Sequence, residues 1–247
     1  MGGSHTVEQV GSSAGRPGGR GSDVRAEERT GRVAALSKRF QDALDNARLE
    51  IRPFRHRLLE KVLTDEVCTA IVDLPLEAPS IGDTRGKRET HNSSRAFFSV
   101  ENRRRFPVCQ DMAGMLQGEA AVRALEATCG IVLRGSFLRI EYCQDRNGFW
   151  LEPHTDIGAK RCTLQVYLSA GPGAEHWGTD LYDGTGNLVA VVPGRFNSGL
   201  LFVPAADSWH GFRGRPINGI RRSLIVNYVN DDWRSRHELA FPDQPVA

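Results

Sequence analysis

Between residues 131 and 229 apolar runs of strand length follow one another closely, and glycine and proline cut them short. The runs cover 131–143, 161–169, 178–182, 187–192, 199–203 and 220–229. Gly171-Pro172-Gly173, Pro193-Gly194 and Gly214-Arg215-Pro216 punctuate them. A proline lacks the N–H a ladder needs, and glycine takes the backbone angles of a turn, so each cluster ends a strand. Many short strands separated by turns predict a closed or sandwiched β-fold rather than a helical or doubly wound one.

The preceding segment has a different period. Val33, Leu36, Phe40, Leu44 and Leu49 recur at near-helical spacing and predict a helix over 32–49, closed off by Pro53. Thr64 or Asp65 caps a second helix carrying Val67, Ile71 and Leu74, which ends before Pro75. Residues 77–93 are polar and turn-rich, Ser94–Val100 alternates like a strand, and Phe106–Leu125 is helical up to about Gly130. Residues 1–30 hold seven glycines and no apolar period, which predicts a disordered tail. The expected organisation is that tail and one domain over 31–247, with helical support at 31–130 and a β-core at 131–230.

A chain of 247 residues is long enough to bury one full core. Net charge is +2, from 32 basic and 30 acidic residues. This balance argues against nucleic acid or an anionic membrane as partner. Arg103-Arg104-Arg105 is a local basic run, read as a solvated loop. Five cysteines, at 68, 109, 129, 143 and 162, include no C-x-x-C pair. An odd, scattered set predicts reduced thiols and a cytoplasmic location rather than a disulfide framework or structural zinc. No apolar run has the length of a membrane span, and the first 30 residues lack the apolar stretch of a signal peptide.

The chemistry concentrates in the β-region. His154 and Asp156 are two residues apart, so on a strand both point to one side and can share a metal ion. A third ligand must come from elsewhere. His176 lies in a glycine-rich loop, a weak support; His210 lies 54 residues beyond Asp156, after the apolar run Leu200–Val203, and is preferred. Two imidazoles and one carboxylate on one face of an octahedral metal leave positions open, which suits non-haem Fe(II). His5 lies in the expected tail, and His56, His91 and His237 have no partner pattern and are expected at the surface. Arg221 follows His210 by 11 residues, with Ser223 on the same side. A guanidinium fork and a hydroxyl together form a carboxylate site. Arg221, Ser223, Ile225 and Asn227 share one face of that strand; Arg222, Leu224, Val226 and Tyr228 share the other.

Phe137-Leu138-Arg139-Ile140-Glu141-Tyr142, Pro153-His154-Thr155-Asp156, Thr163-Leu164-Gln165-Val166-Tyr167-Leu168, Gly178-Thr179, Trp209-His210 and Arg221-Arg222-Ser223-Leu224 occur in that order. Over Phe137–Val229 this set resembles the Fe(II)/2-oxoglutarate-dependent dioxygenases, in the style of their prolyl-hydroxylase branch. The resemblance implies a double-stranded β-helix (a cupin-like jelly roll) that is mainly β with flanking helices. It implies Fe(II) on His154, Asp156 and His210, with O₂ and 2-oxoglutarate as co-substrates and ascorbate as a stimulant. Arg221 and Ser223 match the residues that hold the co-substrate's C5 carboxylate, and Tyr142 and Tyr167 match positions where a phenol touches it. Related halogenases carry a small residue at the position of Asp156, so its carboxylate favours hydroxylation. Arg95, Gln144, Trp150, Glu152, Arg161, Asn197 and Trp209 stand near the expected pocket rim.

The activity expected from the resemblance is oxidation of an unactivated C–H bond, with release of succinate and CO₂. The compact single domain favours a small-molecule substrate. A prolyl or other protein side chain is the second reading, and a cupin-like metal-binding or sensor protein without turnover is a third.

Overall fold

The computed structural model describes residues 1–3, 20–79, 86–87 and 95–247, and in the first helix side chains from residue 27 onward. Five helices precede the main β-region: α1 (Arg20–Asp45), α2 (Asp65–Val72), α3 (Val100–Arg105), α4 (Pro107–Gln117) and α5 (Glu119–Cys129). The strands are β1 (Arg48–Glu50), β2 (His56–Glu60), β3 (Ala96–Phe97), β4 (Phe137–Asp145), β5 (Leu151–His154), β6 (Lys160–Tyr167), β7 (Thr179–Tyr182), β8 (Leu188–Val192), β9 (Ser198–Phe202), β10 (His210–Phe212) and β11 (Arg221–Val229). They form two antiparallel sheets, a seven-stranded one in the order β1-β2-β9-β6-β11-β4-β3 and a four-stranded one in the order β5-β10-β7-β8.

The alternation in the large sheet decides what faces what. Leu138, Ile140 and Tyr142 of β4, Leu164 and Val166 of β6, and Leu224, Val226 and Tyr228 of β11 belong to one buried cluster with Leu36 and Phe40 of α1 and Met112 and Leu116 of α4. Tyr228 Oη donates to Leu116 O at 2.6 Å, which satisfies the one polar atom it brings into that core. Each fully buried Leu or Ile there contributes about 1.5–3 kcal/mol. The opposite face carries Arg139, Glu141, Thr163, Gln165, Arg221 and Asn227, and all of these but Asn227 line the cavity described below.

Several elements differ from the sequence expectation for identifiable reasons. The first helix starts at Arg20, inside the segment expected to be a disordered tail, and stops at Asp45; Leu49 sits in β1. The second helix runs as expected, with Thr64 Oγ1 accepting from Val67 N at 3.4 Å. The strand expected over 94–100 shrinks to Ala96–Phe97, because Ser99 caps α3, its Oγ accepting from Asn102 N. Arg103-Arg104-Arg105 is therefore the last turn of a helix, not a loop. There Arg103 lies over the Phe241 ring at 3.8 Å and donates to Gln110. The helix expected over 106–125 is split at Gly118, whose extended backbone ends α4 and starts α5. Gly178 closes β7 onto the end of β8: a Cβ there would stand 1.6 Å from Val192 O, so no other residue fits. Among the described residues no helix is long and apolar enough to cross a membrane. His56, expected at the surface, is buried in β2 with its Nδ1 2.9 Å from Phe54 O; His237 is exposed as expected, and His5 and His91 lie outside the described residues.

Candidate metal centre

Strand pairing brings the two distant histidines together. β5 and β10 are antiparallel neighbours in the small sheet, and His154 stands directly opposite His210. Their ring centroids are 4.4 Å apart. Each ring is fixed in the same way, by a hydrogen bond from Nδ1 to the carbonyl two residues earlier: Glu152 O for His154 and Ser208 O for His210, both at 2.9 Å. A carbonyl only accepts, so the proton is assigned to Nδ1 and the Nε2 lone pair is left for a metal. Asp156 follows His154 past the end of β5. Ligand atoms of His154, Asp156 and His210 lie within 4.8 Å of one another. His176 is not part of this cluster: it lies in a 3₁₀ turn over Ala174–Trp177, its side chain 77% exposed beside Glu175.

The electrostatics suit a cation. Burial opposes charge on Asp156, but the Lys160 ammonium, the nearby His210 and hydrogen bonds from Lys160 and Thr163 outweigh it and hold its carboxyl at about 2. Lys160 Nζ lies 2.5 Å from Asp156 Oδ1, and Thr163 Oγ1 donates to Oδ2 at 2.7 Å. Burial lowers His210 to about 4 against the opposing pull of Asp156, so at neutral pH it is a neutral nitrogen donor. Two imidazole nitrogens and one ionised carboxylate form a donor set that fits a divalent metal such as Fe(II).

All three residues line a cavity of about 330 Å³ between the two sheets, which Arg221 also lines. Arg221 is 3% exposed. Its Nε donates to Trp177 O at 2.7 Å and its Nη1 to Asp145 Oδ2 at 2.6 Å, while its guanidinium lies over the Phe212 ring at 4.5 Å. Among the described residues the rest of the fork has no hydrogen-bond partner, and it is able to take a carboxylate. Ser223 is fully buried on the same face, with Gln165 Nε2 3.4 Å from its Oγ. Tyr167 Oη donates to Thr179 Oγ1 at 2.7 Å, and Thr179 donates on to Gln165 Oε1 at 2.8 Å. Burial pushes the Tyr167 phenol up to about 12, so it remains a neutral donor.

Other expected site residues stand elsewhere. Tyr142 is in register with Leu224, on the helix-packed face of the large sheet, and does not line the cavity. Gln144 shares that parity and donates to Leu76 O. Arg161 reaches the outside, to Asn230 and Val132 O. Asn197 is a structural residue whose amide pairs with both Leu63 N and Leu63 O. Trp150, Glu152 and Trp209 are absent from the cavity wall; Trp150 packs on Gly86, and Glu152 lies 3.8 Å from Lys87. Of the expected rim residues only Arg95 lines the cavity.

Arg139, Glu141, Lys160, Thr163 and Glu238 were not expected at this wall, yet all five line the cavity directly. Arg139 donates to Glu238, Glu141 and Asn227; Asn227 Nδ2 donates to Thr163 Oγ1 at 2.9 Å, and Thr163 bonds Asp156. An unbroken polar chain thus runs from the metal-facing carboxylate into the large sheet. The signal for it was present: Arg139 and Glu141 are charged residues alternating with Leu138, Ile140 and Tyr142, the mark of a strand with one polar face.

Comparison with solved structures gives the same architecture. A prolyl hydroxylase from Trichoplax adhaerens, in complex with a hypoxia-inducible-factor oxygen-degradation-domain peptide, is similar with a TM-score of 0.51 and 14% identity over 87% of this chain and 95% of that one. A prolyl 4-hydroxylase from Phytophthora capsici has a TM-score of 0.52 and 12% identity over 80% and 65%. A Pseudomonas putida prolyl-4-hydroxylase has 0.51 and 11% over 79% and 94%. No family model and no curated protein matches the sequence. Two antiparallel sheets enclosing a His-Asp-His cluster, with these neighbours, make this chain a double-stranded β-helix of the prolyl-hydroxylase-like, Fe(II)/2-oxoglutarate-oxygenase fold.

Proposed function

We propose that the protein is an Fe(II)- and 2-oxoglutarate-dependent dioxygenase that hydroxylates a small molecule. The observation that carries this reading is the placement of His154, Asp156, His210 and Arg221 on one cavity. His154, Asp156 and His210 would hold the iron, which when bound supplies the redox chemistry that joins O₂, co-substrate and substrate. The overall reaction puts one oxygen atom into a substrate C–H bond and the other into succinate, with loss of CO₂.

The chain's own contribution is positioning. The Nδ1 bonds to Glu152 O and Ser208 O set the two rings, and Thr163, backed by Asn227 and Arg139, sets the carboxylate of Asp156. Arg221, with Ser223 beside it, binds the C5 carboxylate of 2-oxoglutarate. Phe149 and Phe212 flank that guanidinium, exclude water and strengthen the contact. Thr179 lines the cavity, and Tyr167 stands behind it as its hydrogen-bond donor. Five free cysteines support a reducing, cytoplasmic setting.

A small-molecule substrate is supported by the buried charged wall that Arg139, Glu141 and Glu238 give the cavity. The Trichoplax neighbour holds a peptide, and this favours a second reading, hydroxylation of a prolyl side chain in a protein. A mass-spectrometric screen separates them. Protein with iron, ascorbate and 2-oxoglutarate is offered a pool of small metabolites and, separately, proline-containing peptides. A +16 product from the metabolite pool with matching succinate supports the first reading. A +16 product from peptides alone replaces it with the second, and absence of succinate release under every condition removes both.

A further inference from the structure

Among the described residues, all but one of the cavity's side-chain cations from Lys and Arg are internally matched. Arg95 pairs with Glu141, Arg139 with Glu141 and Glu238, and Arg221 with Asp145. Lys160 is the remaining one, and its one carboxylate partner among the described residues is Asp156. That carboxylate is also the acidic member of the metal cluster. The position of Lys160 is not an accident of alternation. Strict parity along β6 would send it to the helix side with Cys162 and Leu164. The register between β6 and β11 shifts at Tyr228/Val229, and this irregularity places Lys160 in the cavity wall. Bulges beside sites re-aim side chains in this way.

An ammonium and a divalent ion cannot both be neutralised by one carboxylate. The ion, with twice the charge and two imidazoles to help it, takes Asp156, and Lys160 is left as an unmatched cation inside a chamber where its side chain is only 18% exposed. Arg221 is already assigned to the C5 carboxylate of 2-oxoglutarate. We propose that Lys160 changes partner. It holds Asp156 in the metal-free protein, and in the metal-loaded protein it binds a carboxylate carried by the small-molecule substrate. The proposal rests on the Fe(II) reading above and narrows its substrate to a carboxylic acid.

The test uses the full chain and its K160Q, K160M, K160R and D156A variants, each checked for folding by circular dichroism. Zn(II), which is redox-silent, is titrated calorimetrically into the metal-free proteins. Loss of the competing charge should let K160Q and K160M bind Zn(II) at least about tenfold more tightly than wild type, with K160R close to wild type. Zn(II)-loaded protein saturated with 2-oxoglutarate is then titrated with propionate and with propionamide, followed by ligand-observed NMR. Wild type should prefer the acid by at least about tenfold, and K160Q and K160M should lose that preference. The proposal fails if the neutral variants bind Zn(II) no more tightly. It fails equally if wild type binds acid and amide alike, or neither, or if the preference survives without the ammonium. A different failure is visible in D156A: wild-type Zn(II) affinity there removes the metal site itself and leaves nothing for Lys160 to release.

Discussion

Replacing Arg221 by Lys, with Arg222→Lys as its control, tests the orientation of the whole large sheet. The two residues are neighbours on β11, so their side chains leave on opposite faces. Arg221 is buried, bonded to Asp145 Oδ2 at 2.6 Å and Trp177 O at 2.7 Å, and stacked on Phe212. A lysine keeps the charge but is a single point donor. It cannot hold Asp145, the Trp177 carbonyl and a ligand carboxylate together. At least one buried hydrogen bond to a charged group is lost, about 1.5–3 kcal/mol. For a chain of this size that lowers Tm by about 3–12 °C. If the lost bond is the one to 2-oxoglutarate, the same energy raises the co-substrate requirement at least about tenfold. Arg221→Ala is a poorer probe, since it removes the cation from a buried Asp145, a change that costs about 3–5 kcal/mol in such pairs. Initial rates of succinate formation against 2-oxoglutarate, with thermal melts of both variants, are sufficient. Arg222→Lys should shift the requirement by less than about twofold, because Arg222 lies on the helix side with Leu224 and Tyr228. Equal effects at the two positions would refute the assignment of faces. A wild-type titration for Arg221→Lys would mean that another cavity cation, Arg139 first, holds the C5 carboxylate.

Three further outcomes follow from the same geometry. His210→Ala should abolish tight Zn(II) or Co(II) binding in a calorimetric titration while His176→Ala keeps it, because His210 alone of the two joins His154 and Asp156; the reverse pattern refutes the ligand set. Tyr167→Phe removes the donor to Thr179 and should cost about 1 kcal/mol in a denaturant titration, whereas Tyr142→Phe, on the helix side, should leave the 2-oxoglutarate requirement unchanged. Deleting residues 1–30 cuts into α1 and removes Arg29, whose Nε lies 2.5 Å from Asp111 Oδ1. The loss should be no more than about 1 kcal/mol, since Arg29 is half exposed, and turnover should be unaffected; a loss several times larger would show a greater role for the start of α1.

Features set by neighbouring residues were legible in the sequence. Thr64 as a cap, the alternation along β11, and His154 with Asp156 on one side each depend on a few adjacent positions, because caps and strand periodicity are local. The grouping of Arg221, Ser223, Ile225 and Asn227 on one face needed no tertiary knowledge, and neither did the preference for His210 over a histidine in a glycine-rich loop. Alternation, however, says which residues share a face and not which face is inside. Tyr142 and Gln144 were placed at the site although their strand alternates against Arg139 and Glu141, and only the register of β4 on β11 sets those charges over the cavity. Arg161 and Lys160 are adjacent, and a register shift against β11, which no residue pattern announced, turned Lys160 inward. The opposition of His154 and His210, separated by more than fifty residues, exists only once β5 and β10 pair. A strand's sequence carries its period, but its partner, register and bulges are chosen by the energy of the assembled sheets, and that choice brought ligands, lysine and arginine to one cavity.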